Sequence, residues 1–351
     1  MDMRILFVDF PSESLLRQLR RYKCETASLL RDESVERLGK TGFSRFLSHF
    51  SAQCDIIYYT KFVSRNLEDF PPQISGIKCN SILGLHSPTI IAHPNRAIYK
   101  LYNLVNSARL VAHKFIGAFD ALHSLNSSDH LMLSKMGFRT FLIPMGFDDD
   151  LFRPGEKSRE EFRVLFTGSL YHKGADMAAK IAYILGRTHS DIRFFFLNGA
   201  QRTYMDSAPE YGQFLAESFP ASTVALGHLD KRDFAHLLGQ MHLLLFPSKW
   251  EASPRVVVEA LGCGCPVVCF DIAGPPRGLI RHSEIGYVAR PFDLGELTRG
   301  VLRFYDLWRN RCDAYTELSE KCRQRSYPFS WKNLAPRYLD MFRLVADEAN
   351  S

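Results

Sequence analysis

Residues His242–Asp271 read HLLLFPSKWEASPRVVVEALGCGCPVVCFD, and this stretch decides the fold. Its two apolar runs, Leu243–Phe246 and Pro266–Phe270, are apolar on both faces, as the buried strands of parallel sheets are. A polar turn and a helical segment that stops at Gly-Cys-Gly lie between them. The stretch therefore predicts a strand, a loop, a helix and a second strand, which together form a βαβ unit.

Two glutamates lie within this predicted unit. Glu251 falls in the loop past the carboxyl end of the first strand, where open parallel sheets bind ligands, and Glu259 falls inside the helix. Ser253 is the expected N-cap and Pro254 the first helical residue, so the amino end of the helix opens toward the same crevice. Backbone N–H groups there suit a phosphate or a polar sugar. The alternative is an ordinary loop acid and an exposed helix acid paired with Arg255.

These residues resemble a known family. With Pro247-Ser248 before them and EALGCGCPVV after, Glu251 and Glu259 resemble the E-x7-E signature of family 4 retaining glycosyltransferases, which have the GT-B fold. The resemblance implies an α/β protein of two Rossmann-like domains facing across a cleft, with a C-terminal helix that crosses back to the first domain. We expect residues 1–147, completed by 331–351, to form the acceptor-side domain, and residues 148–330 to form the nucleotide-sugar-binding domain.

A second segment resembles the family's phosphate-binding loop, whose form is G-R-L-x-x-K-G. The predicted strand Arg163–Gly168 runs into a loop with Lys173, and a helix follows. A lysine beside a helix amino end suits a diphosphate. Lys173 matches the family's lysine, whereas Ser169 stands in the place of the arginine. Arg255 could supply the missing charge from the other side.

Two further positions follow from the resemblance. His86, directly after the predicted strand Asn80–Leu85, would face the donor sugar and hydrogen-bond the sugar or the leaving phosphate; the alternative is a loop histidine that caps a strand end. The segment around Gly227 lines the base in the family. The family's Gly-rich loop in the first domain is replaced here by FPSES.

The resemblance implies a metal-independent retaining glycosyltransferase that uses a UDP-sugar or GDP-sugar and a glycan, lipid-linked or small acceptor. No metal or cofactor is expected, so Asp148–Asp150 are interpreted as a solvated turn. The alternative is a non-catalytic binding or scaffold protein of the same fold, which Ser169 and the replaced Gly-rich loop favour. The predicted catalytic residues are Glu251, Lys173 and His86, and the predicted donor-binding residues are Glu259, Gly168, Ser169, Arg255, Ser253 and Gly227.

Composition agrees with this class. The 351 residues suffice for two domains, and 46% hydrophobic with 23% charged residues indicate a folded protein. The formal charge of +6 is too small to indicate nucleic-acid binding, and no apolar run approaches the roughly 18–20 residues that span a bilayer. We expect a cytoplasmic protein with reduced cysteines. No G-x-G-x-x-G follows the first strand, which excludes a dinucleotide oxidoreductase.

The segment from residue 78 to residue 114 is basic and contains no acidic residue. Its apolar residues recur near helical spacing between Ala97 and Phe115, with basic residues beside them. Such a helix could contact the inner face of a membrane or an anionic lipid-linked acceptor. The other interpretation, which we favour, is a solvated helix whose apolar side lies in the domain core.

Overall fold

The structure, a computed structural model, describes residues 3–8, 13–29, 52–61, 79–85, 117, 119–168, 173–197, 222–249, 251–272, 279–280 and 285–347. The chain divides into two compact units. Of the described residues, those up to Gly146 and from Phe329 onward belong to one unit, and those of Phe147–Pro328 belong to the other. The predicted helix Ala97–Phe115 lies outside the described residues.

Several of the described helices connect successive strands, as βαβ units require. In chain order they are β1 (Arg4–Val8), α1 (Glu13–Arg21), β2 (Glu25–Leu29), β3 (Ile56–Lys61), β4 (Asn80–Leu85), β5 (Ala121–Ser124), α2 (Ser127–Lys135), β6 (Thr140–Leu142), β7 (Phe162–Thr167), α3 (Ala175–Thr188), β8 (Ile192–Leu197), β9 (Thr223–Leu226), α4 (Lys231–Gly239), β10 (Leu243–Phe246), α5 (Arg255–Gly262), β11 (Val267–Phe270), β12 (Gly286–Ala289), α6 (Leu294–Asn310), α7 (Cys312–Ser326) and α8 (Trp331–Asp347).

The first unit contains a six-stranded parallel sheet in the order β2-β1-β3-β4-β5-β6. The C-terminal helix α8 belongs to this unit, as predicted. Phe342 on this helix packs edge-on against Phe7 of β1, with ring centroids 5.9 Å apart. Tyr338 packs in the same way against the buried His123 of β5, at 5.2 Å. Aromatic rings of this size bury large apolar areas, so α8 is part of the unit's core.

The second unit contains the other six-stranded parallel sheet, in the order β12-β11-β10-β7-β8-β9. From β7 the chain adds β8 and β9 on one side, and then returns to add β10, β11 and β12 on the other. Every residue of β10 and of β11 is buried, which explains why both strands read as continuous apolar runs. The two Rossmann-like sheets confirm the predicted fold class.

Strands β2 and β6 and helices α6 and α7 were not predicted. β2, with the sequence ETASL, has neither an apolar run nor strict alternation, and it forms as an edge strand by pairing with β1. Helices α6 and α7 belong to the second unit. Neither carries a ligand-binding motif from which it could be predicted. In the part of the chain that the structure describes, no helix combines the length and the apolar character needed to cross a bilayer.

Candidate functional site

Two loops of the second unit meet at the carboxyl edge of its sheet. One follows β7 and leads to Lys173, and the other follows β10 and leads to Glu251. β7 and β10 are neighbouring parallel strands, and the strand order reverses between them. Open α/β sheets bind ligands at such a switch point. The topology therefore brings both predicted catalytic residues of this unit to one crevice.

Gly168 allows the loop after β7 to fold back on its own Lys173, and Gly174 allows that loop to approach the loop after β10. Gly168 has φ +139°, and a Cβ there would lie 2.7 Å from the Cβ of Lys173. Gly174 has φ +77°, and a Cβ there would lie 2.1 Å from the carbonyl oxygen of Pro247. Both φ values lie in the region that glycine adopts without strain, and any side chain would collide with the facing chain. The loop after β7 thus rests directly on the loop after β10.

Lys173 and Glu251 form an ion pair across the two loops. The Lys173 ammonium donates a hydrogen bond to Oε1 of Glu251, and the Ser248 hydroxyl donates to the same oxygen at 2.8 Å. The Lys173 side chain is 32% exposed and that of Glu251 is 12% exposed. A ligand entering the crevice can therefore reach the lysine first.

A second ion pair joins the same two loops, and sequence reasoning missed it. Nζ of Lys249 lies 3.3 Å from Oδ1 of Asp176 in the first turn of α3. The Lys249 side chain is only 3% exposed. The only signal in the sequence is position, since Lys249 precedes Glu251 by two residues and Asp176 follows Gly174 by two. No spacing rule connects side chains that are 73 residues apart.

Glu259 lies in the second turn of α5 and is buried. Burial raises the pKa of its carboxyl group above the ordinary value, while the positive charges of Arg255 and Lys231 act in the opposite direction. These two cations begin α5 and α4, so Glu259 lies toward the helix starts that face the carboxyl edge of the sheet. Among the described residues, none donates a hydrogen bond to this carboxylate. It is placed to accept hydrogen bonds from a ligand.

This placement contradicts the alternative of an exposed helix acid paired with Arg255. Glu259 is 7% exposed, and no ion pair joins it to Arg255, both of which the structure describes. The predicted N-cap is also wrong by one residue. α5 begins at Arg255 with Pro254 as its N-cap, because the ψ of 104° at Pro254 is extended rather than helical. Ser253 precedes the cap and remains in the same loop.

The remaining predicted donor-binding residues are placed as follows. Gly227 directly follows β9 at the same sheet edge, and a Cβ there would meet nothing within 4 Å. Arg255 is exposed at the start of α5. His86 and Ser169 lie outside the described residues, so their roles stay predictions.

The aspartates at 148–150 form a local turn, as expected, but Asp148 is buried rather than solvated. Oδ1 of Asp148 accepts a hydrogen bond from the Asp150 backbone N–H at 3.2 Å, and Asp150 pairs with Arg153 at 3.1 Å. Within the described residues, no group of three or more histidines, cysteines or acids is arranged to hold a metal ion. Cys263 and Cys265 are buried, and burial raises the pKa of both thiols. They are core thiols that carry protons, as predicted.

Comparison with known proteins agrees with this architecture. Residues 147–326 match the family model described as glycosyl transferases group 1, and that range is just over half of the 351 residues. The chain belongs to the group 1 glycosyl transferases. This family match lies almost wholly within the second unit and contains both glutamates and Lys173. It confirms the predicted resemblance at the level of a glycosyltransferase family, which is a family of transferase enzymes.

Individual relatives are distant. The O-antigen chain mannosyltransferase B of Escherichia coli is 26% identical over 122 residues, which cover 34% of this group 1 chain and 30% of the relative. The chain spans less than half the length of the curated relatives that it matches, at 45%, 30% and 42% for three of them. Sucrose-phosphate synthase from Thermosynechococcus elongatus superposes with a TM-score of 0.71 at 16% identity, covering 99% of this chain and 100% of that one.

A ligand-bound structure shares the fold. Anabaena HepE in complex with UDP-glucose superposes with a TM-score of 0.68 at 16% identity, covering 97% of this chain and 99% of that one. At this identity the likeness shows the fold alone. Together these superpositions confirm the GT-B class predicted from the E-x7-E segment.

Proposed function

We propose that this protein is a retaining glycosyltransferase that moves a sugar from a nucleoside-diphosphate sugar to a glycan, lipid-linked or small acceptor without a metal ion. One observation carries the proposal: Glu259 is a buried carboxylate that no described residue satisfies, beside a crevice that also holds Lys173 and Glu251. A carboxylate that is largely buried without a donor costs folding free energy. A ligand with paired hydroxyl groups would recover that cost, and a ribose is such a ligand.

We assign the diphosphate to Lys173 and the start of α3. The lysine is the exposed member of its ion pair, and the helix beside it begins at Ala175 with its backbone N–H groups toward the crevice. Negative charge on the leaving diphosphate grows as the glycosidic bond breaks. A fixed cation stabilises that charge more in the transition state than in the ground state, which lowers the barrier.

We assign the two glutamates to the two sugars of the donor. Glu259 would accept hydrogen bonds from the vicinal ribose hydroxyls, each of which is worth about 1.5–3 kcal/mol when the acceptor is charged. Glu251 would accept from hydroxyls of the transferred sugar and so orient its ring. Its Oε1 accepts hydrogen bonds from Lys173 and from the Ser248 hydroxyl. The carboxylate therefore lies beside Lys173, between the positions proposed for the phosphate and the sugar.

Retention is proposed to follow from front-face attack. The acceptor hydroxyl approaches the anomeric carbon on the side that the diphosphate leaves, and an oxygen of the departing phosphate takes the acceptor proton. The new glycosidic bond forms as the bond to the phosphate breaks, so no side-chain base is required. We assign this donor chemistry to residues 148–330 and acceptor recognition to residues 1–147 with 331–351.

A non-catalytic protein of the same fold is the second candidate. The serine at position 169 and the FPSES segment, where the family carries an arginine and a glycine-rich loop, favour it. Such a protein would bind the nucleotide sugar through the same crevice but would not turn it over. We propose a cytoplasmic location for either candidate. Membrane contact of the 78–114 segment stays the alternative to the helix packed on the domain core, which we favour.

Calorimetry with UDP- and GDP-sugars, followed by a donor-hydrolysis assay in the presence of EDTA, tests the proposal. We expect saturable binding of one nucleotide class and slow release of free sugar without metal. Proton NMR of the released or transferred sugar should show the anomeric configuration of the donor. Binding without release would favour the non-catalytic candidate, and no binding of any nucleotide sugar would refute both.

A further inference from the structure

The two ion pairs that cross from one loop to the other differ in exposure. In the pair of Lys173 and Glu251 the lysine is 32% exposed, whereas in the pair of Lys249 and Asp176 the lysine is 3% exposed and the aspartate 17%. Water and ligand therefore reach the first pair and hardly reach the second. The proposed donor diphosphate competes for Lys173, and it has no comparable access to Lys249.

The buried pair lies where it can hold the loop geometry. Lys249 is two residues before Glu251, and Asp176 belongs to the helix that follows Lys173 and Gly174. The carbonyl of Pro247 also lies against the backbone at Gly174. The loop after β10 therefore contacts the start of α3 at two points, through Pro247 and through Lys249. A buried ion pair is weak evidence for stability, because apolar residues of the same volume often serve as well. We therefore explain the pair of Lys249 and Asp176 by the loop geometry that it fixes rather than by a gain in stability.

We propose that Lys249 is a positioning residue, which through its buried ion pair with Asp176 fixes the loop carrying Glu251 against the start of α3. This inference rests on the proposed function. When the donor draws Lys173 toward its diphosphate, Glu251 loses its ion-pair partner and keeps the hydrogen bond from the Ser248 hydroxyl. The buried pair keeps Glu251 in place at that moment, so that it can orient the transferred sugar.

The test compares transfer with binding of a ligand that lacks the sugar. For Lys249→Met and for Asp176→Asn we expect kcat for sugar release or transfer to fall about 10–100-fold, because misplacement by about 1 Å can cost that much. Free nucleoside diphosphate lacks the group that Glu251 contacts, so calorimetry should give its Kd for Lys249→Met within about threefold of the parent. Asp176→Asn removes a negative charge from the helix start assigned to the diphosphate, so its Kd for the nucleoside diphosphate should not rise. The double variant should lose no more than either single variant, since both remove one interaction.

Leu185→Ala is the matched control for stability. Leu185 is 2% exposed in the same helix α3, near its far end, and truncating it removes core packing without touching either loop. After correction for the folded fraction, this variant should keep the parental kcat. Asp176→Asn retains the side-chain shape and keeps the test valid if Lys249→Met does not fold.

Two results would overturn the inference. One is parental kcat in both folded variants; the other is an equal loss of transfer and of nucleoside diphosphate binding, which would mean a general loss of structure. A parent protein that binds no nucleotide sugar would instead refute the proposed function, and the variants would then not be needed to decide it.

Discussion

Replacing Glu259 with glutamine should weaken donor binding and stabilise the fold at the same time. The amide keeps the size of the side chain but removes the charge that burial in α5 opposes. A hydrogen bond to a charged acceptor is worth about 1 kcal/mol more than one to a neutral acceptor. With two ribose hydroxyls the loss is about 2 kcal/mol, which corresponds to a roughly 30-fold higher Kd. In the empty protein the same change relieves the cost of burying a carboxylate, so the free energy of unfolding should rise.

Calorimetry with the preferred nucleoside diphosphate and urea unfolding at pH 7.5 measure the two effects. Glu161→Gln is the matched control: Glu161 precedes β7 at the amino edge of the same sheet and pairs with Arg193 at 2.8 Å. It should leave the Kd unchanged. The Kd of the parent should also rise as pH falls toward the raised pKa of Glu259, since the protonated acid accepts poorly, and Glu259→Gln should remove that dependence. Parental affinity in the Glu259 variant would refute the assignment to the ribose.

Three other perturbations test contacts within the second unit. Glu251→Gln should abolish most sugar transfer yet lower the Kd of free nucleoside diphosphate up to about fivefold, because it releases the partly exposed Lys173 from a pair worth at most about 1 kcal/mol; weaker calorimetric binding would contradict this. Gly174→Ala should lower the free energy of unfolding by at least about 1–2 kcal/mol in urea titrations, since φ is +77° and the facing carbonyl is 2.1 Å from the new Cβ, whereas Gly227→Ala, with open space, should be neutral. Burial lowers the pKa of His242 to about 3, so stability is full above the unfolded pKa near 6.5 and falls as pH drops toward 3, by about 2 kcal/mol at pH 5. Urea unfolding at pH 7.5 and 5 should show this loss, and His242→Asn should reduce it.

The strands could be predicted where they are buried on both faces. β10 and β4 have the bounds expected from their apolar runs, Leu243–Phe246 and Asn80–Leu85. β2 could not be predicted because ETASL carries no apolar pattern. It forms a strand because it pairs with β1 in the sheet, not because of its own residues. Local composition identifies central strands, and edge strands depend on their neighbours.

Candidate residues of the site could be singled out from the sequence, but their pairings could not. Lys173 and Glu251 were identified separately from two motifs that are 78 residues apart. Whether they meet depends on β10 lying next to β7, and two motifs alone do not determine that strand order. Lys249 carried no motif at all, and only the close contact of the two loops shows that it is buried against Asp176.

The distribution of charge around the crevice indicates which part of the donor contributes most to its binding affinity. In the empty protein Lys173 is already matched by Glu251, and position 169 carries a serine where the family has an arginine. A diphosphate therefore exchanges one partner of Lys173 for another, and the net gain from that exchange is small. Glu259 has no such competitor among the described residues, so hydrogen bonds from a ribose add their full value. We expect the nucleoside to supply most of the ground-state affinity. That leaves the lysine's attraction to the diphosphate to act mainly when charge develops, which is the condition under which binding energy accelerates transfer.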